Sequence, residues 1–296
     1  MTDDHVYLSL AEAPAEGDTR WAFGTGFEDP LYGVDTALSP GTDPVQLAAL
    51  CLALGDDALV AAQRLAEWCT RAPELEEEVA LANIGLDLLG QARLLLARAG
   101  QAEGRDRDED ALAYFRGPAE FRNVRLVELP NGDFAECIAR LLLFSSWRLA
   151  LFQALTGHSD PVLAAVAAKG VSELAYHRDH AAQWTVRLGD GTEESRRRMR
   201  QALAQVWPYR LELLAELEQT AGAGARAEVE QTLLRVLEAA GLDLPAAEAE
   251  ADVDDGSGGD GSGQDGSGRD GQHTPHLAGL LAELQSVARA DPEATW

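Results

Sequence analysis

The reading of the fold turns on residues 43–100, DPVQLAALCLALGDDALVAAQRLAEWCTRAPELEEEVALANIGLDLLGQARLLLARAG. Asp43 followed by Pro44 is a helix cap with proline at the first helical position, and the apolar pattern then runs to Cys69 before Arg71-Ala72-Pro73 halts it. A second helix begins at Pro73. Glu74, Glu76, Glu77 and Glu78 crowd its first turn, where negative charge suits the helix dipole, and Gly100 is its expected stop.

Outward from this pair the same signals recur. Asn131-Gly132-Asp133 opens a third helix that runs to Gly157, and Ser159-Asp160-Pro161 opens a fourth that runs to Gly189. Each of the four is about 25 to 29 residues, on the order of 40 Å at about 1.5 Å per residue. The connections alternate short, long, short. Short ones force antiparallel neighbours, and the long one, Gln101 to Pro130 with a short helix at Glu109 to Phe115, carries the chain across. That arrangement predicts an all-α, ferritin-like four-helix bundle with additional C-terminal helices. A fifth helix, Thr192 to Leu217, should break near Trp207 because Pro208 lies inside it, and a sixth is expected from Ala225 to Ala240.

The flanks read differently. Residues 1–42 lack a sustained period and are expected to form a poorly ordered arm, with the bundle spanning 43–250. Residues 251–272, ADVDDGSGGDGSGQDGSGRDGQ, read as a flexible solvated linker, and 273–296 as a docking helix led by leucines 277, 280, 281 and 284. His273 and His276 are expected to cap that helix.

Composition narrows the function. Fifty acidic residues against 24 basic ones give a formal charge of −26, which disfavours nucleic acid. The richest apolar stretch, Ala139 to Leu155, is broken by Arg140, Arg148 and Gln153, so no membrane span is expected, and no signal peptide is visible. Cys51, Cys69 and Cys137 contain no CxxC pair and read as reduced core thiols of a cytoplasmic protein. Trp68, Trp147, Trp184 and Trp207 read as packing anchors. No G-x-S-x-G, Walker loop or Rossmann glycine run following a strand is present, and the GSGGDGSG tract at 256–263 has glycines but no flanking strand.

A bundle of this kind invites the question of two metals. A carboxylate-bridged iron pair needs a Glu from each of two helices and a Glu-x-x-His from each of the other two. Asp56 and Asp57 face the level of Asp87 across the first turn, but Gly90 stands where the imidazole would be. Glu173, His177 and His180 share a stripe at i, i+4 and i+7, with Tyr176 at the histidine offset. On the third helix Arg140, expected to pair with Glu173 or Asp87, would repel iron. Asp56, Asp57, Asp87, Arg140, Glu173, His177 and His180 therefore read as a degenerate, di-iron-like polar core satisfied internally, with no catalytic, cofactor or metal residue assigned. The alternative is an independent ferritin-like metalloenzyme using Glu173, His177, His180 and Asp87. An iron-storage bundle is a third class, against which the same ligand gaps argue.

The stretches at 52–93, ELPNGDFAECIAR (128–140), ELAYHRDHAAQWTVRLGDGTEES (173–195) and HLAGLLAEL (276–284) resemble the C subunits of phenylacetyl-CoA ring-1,2-epoxidases, bacterial multicomponent monooxygenases. The resemblance implies a ferritin-like, non-catalytic member of a heteromer in aerobic phenylacetate degradation. It implies a homologous catalytic A subunit that carries di-iron and the acyl-CoA, a reductase component using NADPH, and other epoxidase components as partners.

Overall fold

The computed structural model describes residues 31–39, 41–245 and 266–292. Among them every regular element is a helix. The main helices are α1 (Pro44–Ala66), α2 (Leu75–Glu103), the short α3 (Glu109–Tyr114), α4 (Phe134–Leu155), α5 (Pro161–Gly189), α6 (Glu193–Val206), α7 (Arg210–Ala239), α8 (His276–Leu284) and α9 (Ser286–Ala290).

The cap chemistry sets most boundaries. Asp43 accepts from the Val45 amide at 2.9 Å, Asp160 from Leu163 at 2.9 Å, and Asp133 from Glu136 at 3.1 Å. α2 begins at Leu75 without a side-chain cap and passes through the expected stop at Gly100 to end at Gly104, whose φ is 64°. Glycine inside a helix weakens it without ending it; the left-handed conformation comes four residues later. Trp207–Tyr209 form a 3-10 turn at Pro208, as the proline dictates, and a non-helical Gly222 separates the two halves of α7.

α1 packs along α2 and α4 along α5, α2 meets α5, and α6 and α7 lie against α4. α4 is therefore central. Its Ala135–Leu149 stretch is buried on nearly every side, including Arg140 and Arg148. Trp68, Trp147 and Trp207 are buried, and Trp68, Phe134 and Trp184 meet edge to face, so the aromatics anchor packing.

The reading of the cysteines needs correction. Cys69 is exposed, whereas Cys51 and Cys137 are buried with thiols pushed up to about 12 and about 11, burial being the main cause. Cys69 follows the end of α1, where the chain turns outward.

The Gly/Ser/Asp tract lies outside the described residues as far as 265. Its last part, 266–272, packs against the bundle through a 3-10 turn at Gly268–Asp270. Likewise residues 1–30 and 40 of the arm lie outside the described residues, while Thr36 and Ala37 offer their carbonyls to Arg98, which also pairs with Asp160.

Finally, α1, α2 and α4 have the length and apolarity to cross a membrane. The interruptions in the sequence did not bring them below that measure. In α1 and α4 most of that apolar surface is spent on the core.

Candidate functional site: an ion-paired bundle centre

Asp56 and Asp57 are adjacent on α1 and fully buried, yet they serve different partners. Asp56 forms a two-pronged pair with Arg116 and accepts from the Arg122 amide at 2.9 Å. Burial raises its pKa despite Arg116. Asp57 accepts from the Val124 amide at 2.8 Å and from both terminal nitrogens of Arg269, at 3.0 and 2.8 Å. Consecutive helical residues point about 100° apart, so Asp56 pins the middle of the crossover at Arg116 and Arg122 while Asp57 holds it at Val124.

Arg269 is the hub. Beyond Asp57, its guanidinium reaches the Glu216 carboxylate of α7 at 2.9 Å and donates to the carbonyls of Ala53 and Arg122. Burial works against the Arg269 charge, but Asp57 and Glu216 outweigh it and raise its pKa; burial also raises that of Glu216. The backbone at 268 must come close for this. A Cβ on Gly268 would lie 1.9 Å from the Asn123 carbonyl, and the Gly268 amide donates to Glu212 at 2.7 Å. Further along, both ring nitrogens of His273 face acceptors: Glu128 Oε1 at 2.6 Å and the Phe121 carbonyl at 3.0 Å. Only the doubly protonated imidazolium donates to both. His273 thus ties the tail to the crossover instead of capping α8.

Arg148 of α4 lies 3.7 Å from Asp57 on the other side, donates to the Gln91 side chain at 3.1 Å and to the Leu54 carbonyl at 3.1 Å, and stacks over Phe152. Burial lowers its pKa to about 10. Gln91 in turn donates to Glu173 at 2.9 Å, and Lys169 Nζ sits 2.9 Å from the other Glu173 oxygen. A line of polar groups thus crosses the bundle from Lys169 to Glu216.

The expected residues divide. Asp87 and His177 do meet, Nε2 to Oδ2 at 3.0 Å, with His177 Nδ1 buried and unbonded. His180 lies 3.3 Å from Glu77, and burial lowers its pKa. Glu173 goes to Gln91 and Lys169. Arg140 is not part of this centre. It donates to the carbonyls of Leu129 and Pro130 and to Asn131, closing the end of the crossover two turns before Arg148 on the same helix. Its expected partners, Glu173 and Asp87, are reached by other groups.

The donor set does not fit a pair of irons. The core-facing carboxylates Asp57 and Glu216 share one guanidinium, while the imidazoles sit on the α2–α5 seam with Asp87 and Glu77. Among the described residues no three His, Cys, Asp or Glu side chains converge in the manner of a metal site. A groove of about 460 Å³ between α5 and α7, lined by Ala182, Val186, Arg187, Arg235 and Val236 among others, includes none of the central polar residues.

Sequence reading missed Arg269, Glu216, Arg148, Gln91 and Arg116. A signal existed for Arg148, because a cation inside LLLFSSWRLALF must find a buried partner. For Arg269, embedded in a glycine-rich polar tract, none did.

A helical bundle whose central acids are closed by arginines is a ferritin-like protein with its middle filled from within. The chain belongs to the phenylacetic acid catabolic protein family, whose profile matches residues 34–296. It is similar to the C subunit of the 1,2-phenylacetyl-CoA epoxidase of Escherichia coli (strain K12), at 42% identity over 256 residues, covering 85% of this chain and 99% of that protein.

Proposed function

We propose that this chain is a structural, non-catalytic subunit of a phenylacetyl-CoA 1,2-epoxidase, working in the cytoplasm in aerobic phenylacetate degradation. Its partners are a homologous catalytic A subunit that carries di-iron and binds the acyl-CoA, a reductase component using NADPH, and other epoxidase components. Relationship to the C subunit of the bacterial epoxidase supports the assembly. The observation that carries the structural role is Arg269, whose guanidinium is shared by Asp57 and Glu216 at the bundle centre.

The physical sense is charge closure. Buried carboxylates need compensation, and here arginines supply it, so the bundle reaches a rigid, neutralised interior without an external cation. A stiff bundle is a suitable support for helices that hold metal in a neighbour.

The test is reconstitution. The purified chain is assayed for iron, mixed with its cognate homologous subunit, and examined by size-exclusion chromatography and for epoxide formation with the reductase present. A stable heteromer with iron confined to the partner is the expected result. Near-stoichiometric iron in this chain alone, lost on Glu173→Ala, would instead mark an independent oxygenase.

A further inference from the structure

The groove between α5 and α7 combines apolar walls with two cations that hold no carboxylate. Ala182 and Val186 of α5 face Val236 and Ala239 of α7, Arg187 and Arg235 complete the lining, and the volume is about 460 Å³. Just beyond, the two helices touch. A Cβ on Gly189 would lie 2.5 Å from the Ala240 carbonyl oxygen, which closes one end. A space of this size suits a small ligand.

The setting makes the two guanidiniums informative. The chain has 50 acidic residues against 24 basic ones, yet among the described residues neither Arg187 nor Arg235 pairs with a carboxylate. Asp190 and Glu238 follow them at the i, i+3 spacing of a helical ion pair and are not engaged by them. Instead, Arg187 lies over the Trp184 ring at 5.1 Å, and Arg235 donates to Thr232 Oγ1 at 3.0 Å. Those contacts orient both forks without neutralising either. The C-terminal dipoles of α5 and α7 favour cations here, but a dipole leaves most of their N–H donors unfilled.

A planar guanidinium fork matches a carboxylate, and apolar walls beside it match hydrocarbon. A polyphosphate would leave those walls unused and meet the overall charge of −26. We propose that the α5–α7 groove binds a small organic monoanion, an aliphatic or aryl carboxylate, with its head on Arg187 and Arg235 and its body along Val186 and Val236. The site is separate from the ion-paired centre and independent of the subunit role.

Calorimetry on the full chain tests this with octanoate, octanol and acetate as probes. Octanoate should bind at a single saturable site, while octanol, lacking the charge, and acetate, lacking the body, should each bind at least about tenfold more weakly. Arg187→Gln and Arg235→Gln should each weaken octanoate by about tenfold. Ala239→Phe fills the groove but keeps both charges, and should abolish binding. All three positions are exposed, so thermal unfolding should not change. Octanoate binding that survives both arginine changes lies elsewhere and overturns the proposal. Octanol binding as tightly as octanoate overturns it too, as does the absence of saturable octanoate binding by the unaltered chain. Sedimentation of the same samples separates the other occupants: with no octanoate bound, self-association lost in Arg235→Gln overturns the proposal in favour of a second copy, and a heteromer lost in favour of a protein partner.

Discussion

Arg269 and Asp57 are separated by 212 residues of chain, yet two parallel hydrogen bonds of 3.0 and 2.8 Å join them at the centre of the bundle. A contact of that reach converts a polar tail into a structural part. Its removal strands the buried Asp57 carboxylate and the partly buried Glu216. Arg269→Ala should lower unfolding stability by about 3 kcal/mol, the smaller end of the range for breaking a buried pair, since the Arg269 side chain is 19% exposed. Urea unfolding reads this directly, and an unchanged midpoint would show the tail to be ornamental. Arg269→Lys should recover only part, because an ammonium cannot bridge both carboxylates in the forked geometry.

The His273–Glu128 contact makes tail docking depend on pH. Burial works against the charged ring, but the Glu128 hydrogen bond and charge outweigh it, so the folded pKa lies above the ordinary value of 6.5. The pair's contribution is therefore complete below about pH 6.5 and is lost as pH rises through the raised folded value. Limited proteolysis of the C-terminal segment should accelerate on going from mildly acidic to alkaline solution. In His273→Gln that acceleration should vanish; its persistence would move the cause elsewhere.

Gly170 sits where α5 packs tightly against Phe152 of α4. A Cβ there would sit 2.6 Å from Phe152 Cδ1 and 3.3 Å from Gln91 Nε2. Gly170→Ala should cost about 1–3 kcal/mol by overpacking, offset slightly by better helix propensity. Because Gln91 bridges Arg148 and Glu173, the Ala variant should also perturb the Gln91 side-chain amide signals in NMR, and an undisturbed spectrum would argue against the close contact.

Internal charge closure implies indifference to chelators. Exhaustive treatment of the isolated chain with EDTA should leave Tm where it was, since a group that binds only the folded state would stabilise it by mass action. A clear fall in Tm, restored by a divalent cation, would contradict the structural role.

Thiol labelling of the native chain should report Cys69 alone. Cys51 and Cys137 are buried and their thiols are held protonated by desolvation, whereas Cys69 is exposed. Mass spectrometry after brief alkylation should find one adduct, rising to three after denaturation.

Helices were legible wherever their own residues decide them. Asp43-Pro44, Asp133 and Asp160-Pro161 bring donors and acceptors together within one turn, and Pro208 breaks the chain at its own position. The gap at Gly90 was likewise plain, because a glycine brings no ligand wherever it lies. Gly100 misled only because a local signal was overruled by packing around it.

What lay beyond the sequence was the choice of partner among buried charges. Arg140 and Arg148 are two turns apart on one apolar helix, and nothing local tells which reaches the bundle centre; the crossover's carbonyls take the first and Asp57 with Gln91 the second. Arg269 is the sharper instance. A side chain on a polar tract gains its role only when folding brings Asp57 and Glu216 within reach, and ion pairing depends on distance in space, which chain neighbours do not encode. The amino-acid order settled the helices and the family; the packed bundle alone settled which cation occupies its middle.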